Sequence, residues 1–84
     1  MYSIEFSELA LKQFNKLEKV VQDRISSSLE RIRIKPEAHV KSVVGTPFFS
    51  FRVGDYRLVI KIDKGKLLIL IISVGHRSHI YSKF

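Results

Sequence analysis

The spacing of large apolar residues changes once along this chain, and that change limits the fold more than any other feature. Between positions 9 and 32 apolar residues recur every three or four positions, and from position 49 onward they recur every second position. The first spacing builds one face of a helix and the second one face of a strand. Before both, residues 2–6 alternate large and polar side chains, which reads as a short half-buried strand. Ser7 can cap a following helix and Glu8 suits its first turn. Leu9, Ala10, Phe14, Leu17 and Val21 then form one helical face, with Lys12, Lys16 and Lys19 on the solvated side. Val21, Ile25, Leu29 and Ile32 form a second, with Arg24, Arg31 and Arg33 outside. A break over residues 18–20 makes these two helices a hairpin; a single bent helix is the alternative. Pro36 ends the pattern, because the residue before a proline is driven out of helical geometry.

Residues 37–47 read as a loop punctuated by Gly45-Thr46-Pro47. Phe49, Phe51 and Val53 then share one strand face, with Ser50 and Arg52 on the other. Gly54-Asp55 is a tight-hairpin dipeptide, and residues 56–62 return as the next strand. Lys64-Gly65 signals a second turn, and residues 66–74, apolar on both faces, form a third strand that belongs at the sheet centre. Residues 75–84 carry no period. The expected fold is α+β, order β-α-α-β-β-β: a helical hairpin packed on a small antiparallel sheet, one domain over residues 1–84.

A chain of 84 residues buries roughly 60–65% of its unfolded surface, so its core must be used fully. With no cysteine it has neither a disulfide framework nor a thiolate metal site. The first residues lack a signal-peptide layout, and the longest apolar run, residues 67–72, is far too short to span a bilayer. A soluble cytoplasmic protein is therefore expected. Fifteen Lys and Arg stand against eight Asp and Glu, a net charge of +7. That excess favours a polyanionic partner such as nucleic acid, an anionic membrane or an acidic protein. The plainer reading is a basic protein with no special partner.

A two-residue turn at Gly54-Asp55 sets the hairpin register. Val53 faces Tyr56, Phe51 faces Leu58 and Phe49 faces Ile60, an apolar ladder for the core. The opposite face sets Arg52 directly across from Arg57, with Ser50, Val59 and Lys61 nearby. Like charges opposed across strands destabilise a sheet, so an anion is expected between them; two solvated arginines splaying apart is the alternative. The last strand delivers a further basic group: His76 follows the arginine parity after a two-residue turn at Lys64-Gly65, and Arg77 after a three-residue one.

These residues resemble the RelE superfamily of toxin–antitoxin systems over nearly the whole chain. The matching stretches are the strand at 2–6, Ala10 to Leu17 in the first helix, Gly45-Thr46-Pro47, Arg52-Val53-Gly54-Asp55-Tyr56-Arg57-Leu58, Val74-Gly75-His76-Arg77 and Ile80-Tyr81. The resemblance implies an mRNA endoribonuclease acting on codons in the ribosomal A site and neutralised by a cognate antitoxin. It implies that Arg57 and Arg77 are the catalytic arginines, Tyr81 the C-terminal tyrosine and Arg52 a basic site position. Where many active members carry a lysine two residues before Arg52, to which the resemblance assigns the general-base role, this chain has Ser50, which leaves the proton acceptor open.

Such cleavage needs the 2′-OH deprotonated, the phosphorane stabilised and the leaving oxygen protonated. Arginine stays protonated, so Arg57 and Arg77 clamp and stabilise rather than accept the proton. Tyr81 can stack on a base or position the 2′-OH; it can equally be an aromatic plug. His76 is the first candidate acid or base, followed by His79 and Lys41. No cofactor is expected. No metal is expected either, since no carboxylates cluster beside His39, His76 and His79. The expected partners are an acidic antitoxin, the ribosome and mRNA, with no membrane and no small molecule. Three other readings stay open: a sister branch of the superfamily that poisons DNA gyrase, a non-catalytic nucleic-acid-binding module, and a basic partner of an acidic chain.

Overall fold

Ser7 turns the chain from strand into helix. In the computed structural model, which describes residues 1–76, its extended backbone lets Oγ accept the Ala10 N–H at 3.0 Å and donate to the Ile72 carbonyl at 2.8 Å. Strand β1 (Ser3–Phe6) precedes it and helix α1 (Glu8–Asn15) follows. Lys16 closes α1, and Glu18, again extended, starts helix α2 (Lys19–Ile32), so the two helices form a hairpin and not one bent rod. Gln22 Nε2 ties them by donating to the Phe14 carbonyl at 2.9 Å. The open carbonyls at a helix end need such partners.

The apolar stripe on α2 is buried through Ile25, Leu29 and Ile32, while Phe14, Leu17 and Val21 pack half-buried beside it. Two positions depart from the expected pattern. Leu9 is 48% exposed, because Ala10 is the α1 residue that meets the sheet. Arg33 lies partly inside: its Nε donates to the Tyr2 carbonyl at 2.9 Å and its Nη1 contacts the Glu30 carboxylate at 3.0 Å. Arg33 thus pins the start of β1 to the end of α2.

Residues 37–47 are more ordered than a loop. Pro36 opens a short 3₁₀ turn (Pro36–Ala38), and a two-residue strand β2 (Lys41–Ser42) pairs antiparallel with β3 (Phe49–Val53). The connection between them closes on Thr46, whose Oγ1 donates to the Val43 carbonyl and accepts the Phe48 N–H. A two-residue strand carries no period, so spacing alone could not reveal it.

Strands β3 and β4 (Tyr56–Asp63) pair in the register set by the Gly54-Asp55 turn, Arg52 opposite Arg57 and Phe51 opposite Leu58. Strand β5 (Leu68–His76) then returns after a four-residue connection, residues 64–67, in place of a tight turn at Lys64-Gly65. The register shifts once within β4–β5: Val59 pairs Ser73 while Ile60 pairs Ile71, so Ile72 is the extra residue of a bulge.

The sheet runs β1-β5-β4-β3-β2. β5 lies inside it, as its two apolar faces required. One expectation is corrected: the sheet is mixed, because β1 runs parallel to β5, Ser3 pairing Leu68 and Phe6 pairing Ile71. No tight turn joins β1 to another strand, so the local sequence does not dictate its direction. The helices cover the sheet face bearing Phe51, Val53, Leu58, Ile60, Ile69, Ile71 and Val74. Each large aliphatic side chain buried there stabilises the fold by roughly 1.5–3 kcal/mol.

Candidate active site

The face of the sheet turned away from that core carries the charge. Alternation along β3 points Ser50 and Arg52 there, and alternation along β4 does the same for Arg57, Val59 and Lys61. The β2–β3 pairing then adds Lys41, directly opposite Ser50. Together with His39, which ends the 3₁₀ turn, these side chains line one pocket of about 130 Å³: His39, Lys41, Ser50, Arg52 and Arg57. Among the described residues that line it, three are cations and none is a carboxylate.

The two arginines differ. Arg52 is exposed, and its Nε donates to the Gly54 carbonyl at 3.2 Å, which turns it toward the hairpin end. Arg57 is half-buried. Beside it Val59 and Ser73 face each other across β4–β5, 1% and 0% exposed, on the side away from the main core. Across from Arg57 stands Gly75, which offers no side chain to crowd it. Arg57 is thus the less exposed of the two, and Arg52 works from a more open position. A preorganised cation is worth more to a developing anion than one that must reorganise.

The turn of the site hairpin lies close to helix α2. Gly54 sits at φ +59°, and a Cβ added there would lie 3.2 Å from Arg24 Nη1 on α2.

Of the residues picked out in the sequence, Arg52 and Arg57 are brought together, and Lys41 joins them. His76 is not with them. The connection of four residues and the bulge at Ile72 put His76 opposite Tyr56, whose alternation is that of Leu58 and the core. Its ring meets the Tyr56 ring edge-on, with centroids 5.7 Å apart. Arg77, His79 and Tyr81 lie outside the described residues. The sequence offers His39 only as a metal ligand. Its place in the pocket depends on the 3₁₀ turn and on β2, and only Pro36 hinted at either. Among the described residues no three His, Asp or Glu side chains group as a metal would require, and no helix is long and apolar enough to cross a membrane.

Known proteins share this fold. Residues 4–81 match the family model described as the ParE toxin of the type II toxin–antitoxin system parDE. The mRNA interferase toxin RelE of Escherichia coli K12 is 31% identical over 87 residues, spanning 98% of this chain and 92% of that protein. The crystal structure of the intact E. coli RelBE toxin–antitoxin complex is similar with a TM-score of 0.80 at 30% identity, covering 90% of this chain and 96% of that one. The RelBE2 complex of Mycobacterium tuberculosis gives 0.83 at 25% identity, covering 90% and 98%.

Proposed function

We infer that this chain, which belongs to the ParE/RelE toxin family of type II toxin–antitoxin systems, is an endoribonuclease that cuts mRNA on the ribosome. The observation that carries this reading is the pocket in which Lys41, Arg52 and Arg57 converge with no carboxylate among them. Such a pocket suits a phosphodiester whose charge rises as the 2′-oxygen adds to phosphorus. Arg57, the better-packed of the two arginines, holds the non-bridging oxygens, and Arg52 anchors a neighbouring phosphate. Arg77 and Tyr81 complete the set by resemblance, the first as a second clamp and the second as a stacking platform for a base. His76 keeps a supporting role at the end of β5, one residue before Arg77. The similarity to mRNA interferase RelE, named for that activity, supports the reading.

The reaction forms the O2′–P bond, breaks the P–O5′ bond and leaves a 2′,3′-cyclic phosphate and a 5′-hydroxyl. No metal is needed for it. Cutting is therefore expected to continue in a chelator under conditions that keep ribosomes intact; loss of cutting there would refute this chemistry. The partner that silences the protein is an acidic antitoxin, a role supported by the similarity to RelB–RelE complexes. It covers the basic face or displaces the C-terminal residues.

One observation favours a second reading. The matched family model is named for ParE, and Ser50 replaces the lysine that many RNA-cutting members carry, so a gyrase-poisoning role is the competitor. Mapping transcript ends after a short induction separates the two. Cuts inside translated codons support the ribonuclease, whereas intact transcripts with broken DNA would establish the competitor.

A further inference from the structure

We propose that His39 is the general base of the cleavage, in the place that a lysine at position 50 would otherwise fill. This rests on the ribonuclease reading and extends it to a residue that neither the sequence motif nor the family resemblance singles out.

The argument starts from what the pocket contains. Of its five described side chains, Lys41, Arg52 and Arg57 are of types that serve as cations and not as bases, and the Ser50 hydroxyl is a very weak base. Imidazole alone among them takes up and gives back a proton near neutrality. The other described histidine, His76, lies opposite Tyr56 with its ring against that side chain, on the alternation of the core face. His39 is therefore the described histidine within reach of a phosphate held by Arg57.

Its position is also built. Pro36 is buried and starts the 3₁₀ turn, and the His39 N–H donates to the Pro36 carbonyl at 3.0 Å. Two residues later Lys41 enters β2 opposite Ser50. The turn and the short strand bracket His39 on both sides, and the small Ser50 side chain leaves the pocket open where a lysine would extend into it. Among the described residues, the charged groups around it are Lys41 from β2, Arg52 from β3 and Arg57 from β4, with Glu37 on its own turn engaged by Lys64 at 3.6 Å.

In the step itself a ring nitrogen of neutral His39 takes the 2′-OH proton as O2′ bonds to phosphorus. The P–O5′ bond then breaks, O5′ takes a proton from water that the open pocket admits, and the hydroxide so formed takes the 2′ proton from His39, which returns to its neutral form. Because the base must be neutral, cleavage slows as pH falls through the range where an imidazole becomes protonated.

The test is single-turnover cleavage of a defined mRNA on programmed ribosomes, measured from pH 5.5 to 8.5 for the parent, His39→Gln and His39→Ala. Melting curves and ribosome co-sedimentation accompany each variant; an exposed side chain should leave both unchanged. His39→Gln should cut about 10²-fold more slowly and lose the acid limb of the pH profile. Added imidazole should restore part of the rate to His39→Ala and none to Arg57→Ala. If the parent cuts and His39→Gln cuts at the same rate with the same profile, the assignment falls and the ribonuclease reading stands. If the parent cuts no RNA, both fall.

Discussion

Arg57 is placed where a chain concerned only with stability would not put it. It faces Arg52 across β3–β4, an opposition that costs a few tenths to about 1 kcal/mol without an anion between them. Replacing it with alanine should therefore leave the melting midpoint level or slightly raised while cleavage falls by about 10²–10³-fold, the usual loss when one preorganised donor to a transition state is removed. Lys16→Ala, on the exposed helix surface, should change neither. Melting and cleavage measured on the same variants test both halves, and an Arg57→Ala protein that folds and still cuts at the parent rate would remove Arg57 from the site. Gly54 carries a prediction of the opposite kind. Its φ of +59° costs an alanine about 1 kcal/mol, whereas the crowded Arg24 Nη1 is the free end of a flexible side chain and can move aside. Gly54→Ala should thus lower the unfolding free energy by about that amount, read as an earlier urea midpoint at unchanged slope, and adding Arg24→Ala should not restore it. The Arg52–Arg57 opposition could be read from the sequence because a two-residue turn leaves one register. His39 could not, since its place depends on a strand only two residues long.

At the scale of elements, α1 acts as an extension of the sheet. β1 stops pairing with β5 at Phe6 and Ile71, and from there side chains of α1 and its cap occupy the exposed edge of β5. Ser7 takes the Ile72 carbonyl, and Gln13 Oε1 accepts both the Val74 N–H at 2.7 Å and the Ser73 hydroxyl at 3.1 Å. Ser73 and Val74 are buried, so losing Gln13 strands two donors away from water. Each orphaned group costs about 1–3 kcal/mol. Gln13→Ala should consequently lower stability by about 2–6 kcal/mol, and the Val74 amide should lose its protection in hydrogen exchange; a midpoint unchanged within error would show that water replaces the glutamine. This contact explains why β5 was harder to read than β3 or β4. Its apolar run identified it as central, but the bulge at Ile72 shifts the parity of everything after it, and that shift decides which face His76 takes. A bulge leaves no mark in a run where both faces are apolar.

The whole molecule is a strongly basic surface with its sharpest charge in one pocket. If Lys41, Arg52 and Arg57 each neutralise one phosphate of single-stranded RNA, binding should weaken with salt at a log–log slope of about −2, from about 0.7 per phosphate. Measured slopes for the parent and for Arg52→Ala should differ by about 0.7; a slope near zero would deny the pocket its polyanion. Charge, fold class and helical hairpin were legible because they are sums or periods over many residues, whereas the mixed sheet was not, because the partner of β1 is 65 positions away along the chain. That distance has a consequence during synthesis. The first strand emerges long before the strand it must pair with, and β5 is also the strand against which β4 and α1 pack. Until β5 is made, the helices have half a sheet to rest on and β1 has no neighbour, so a nascent chain holds its arginines without the frame that aims them. Non-local pairing of this kind forms late. The sheet therefore closes only once residues 68–76 have been made, and until then Arg57 waits for the strand that pairs with it.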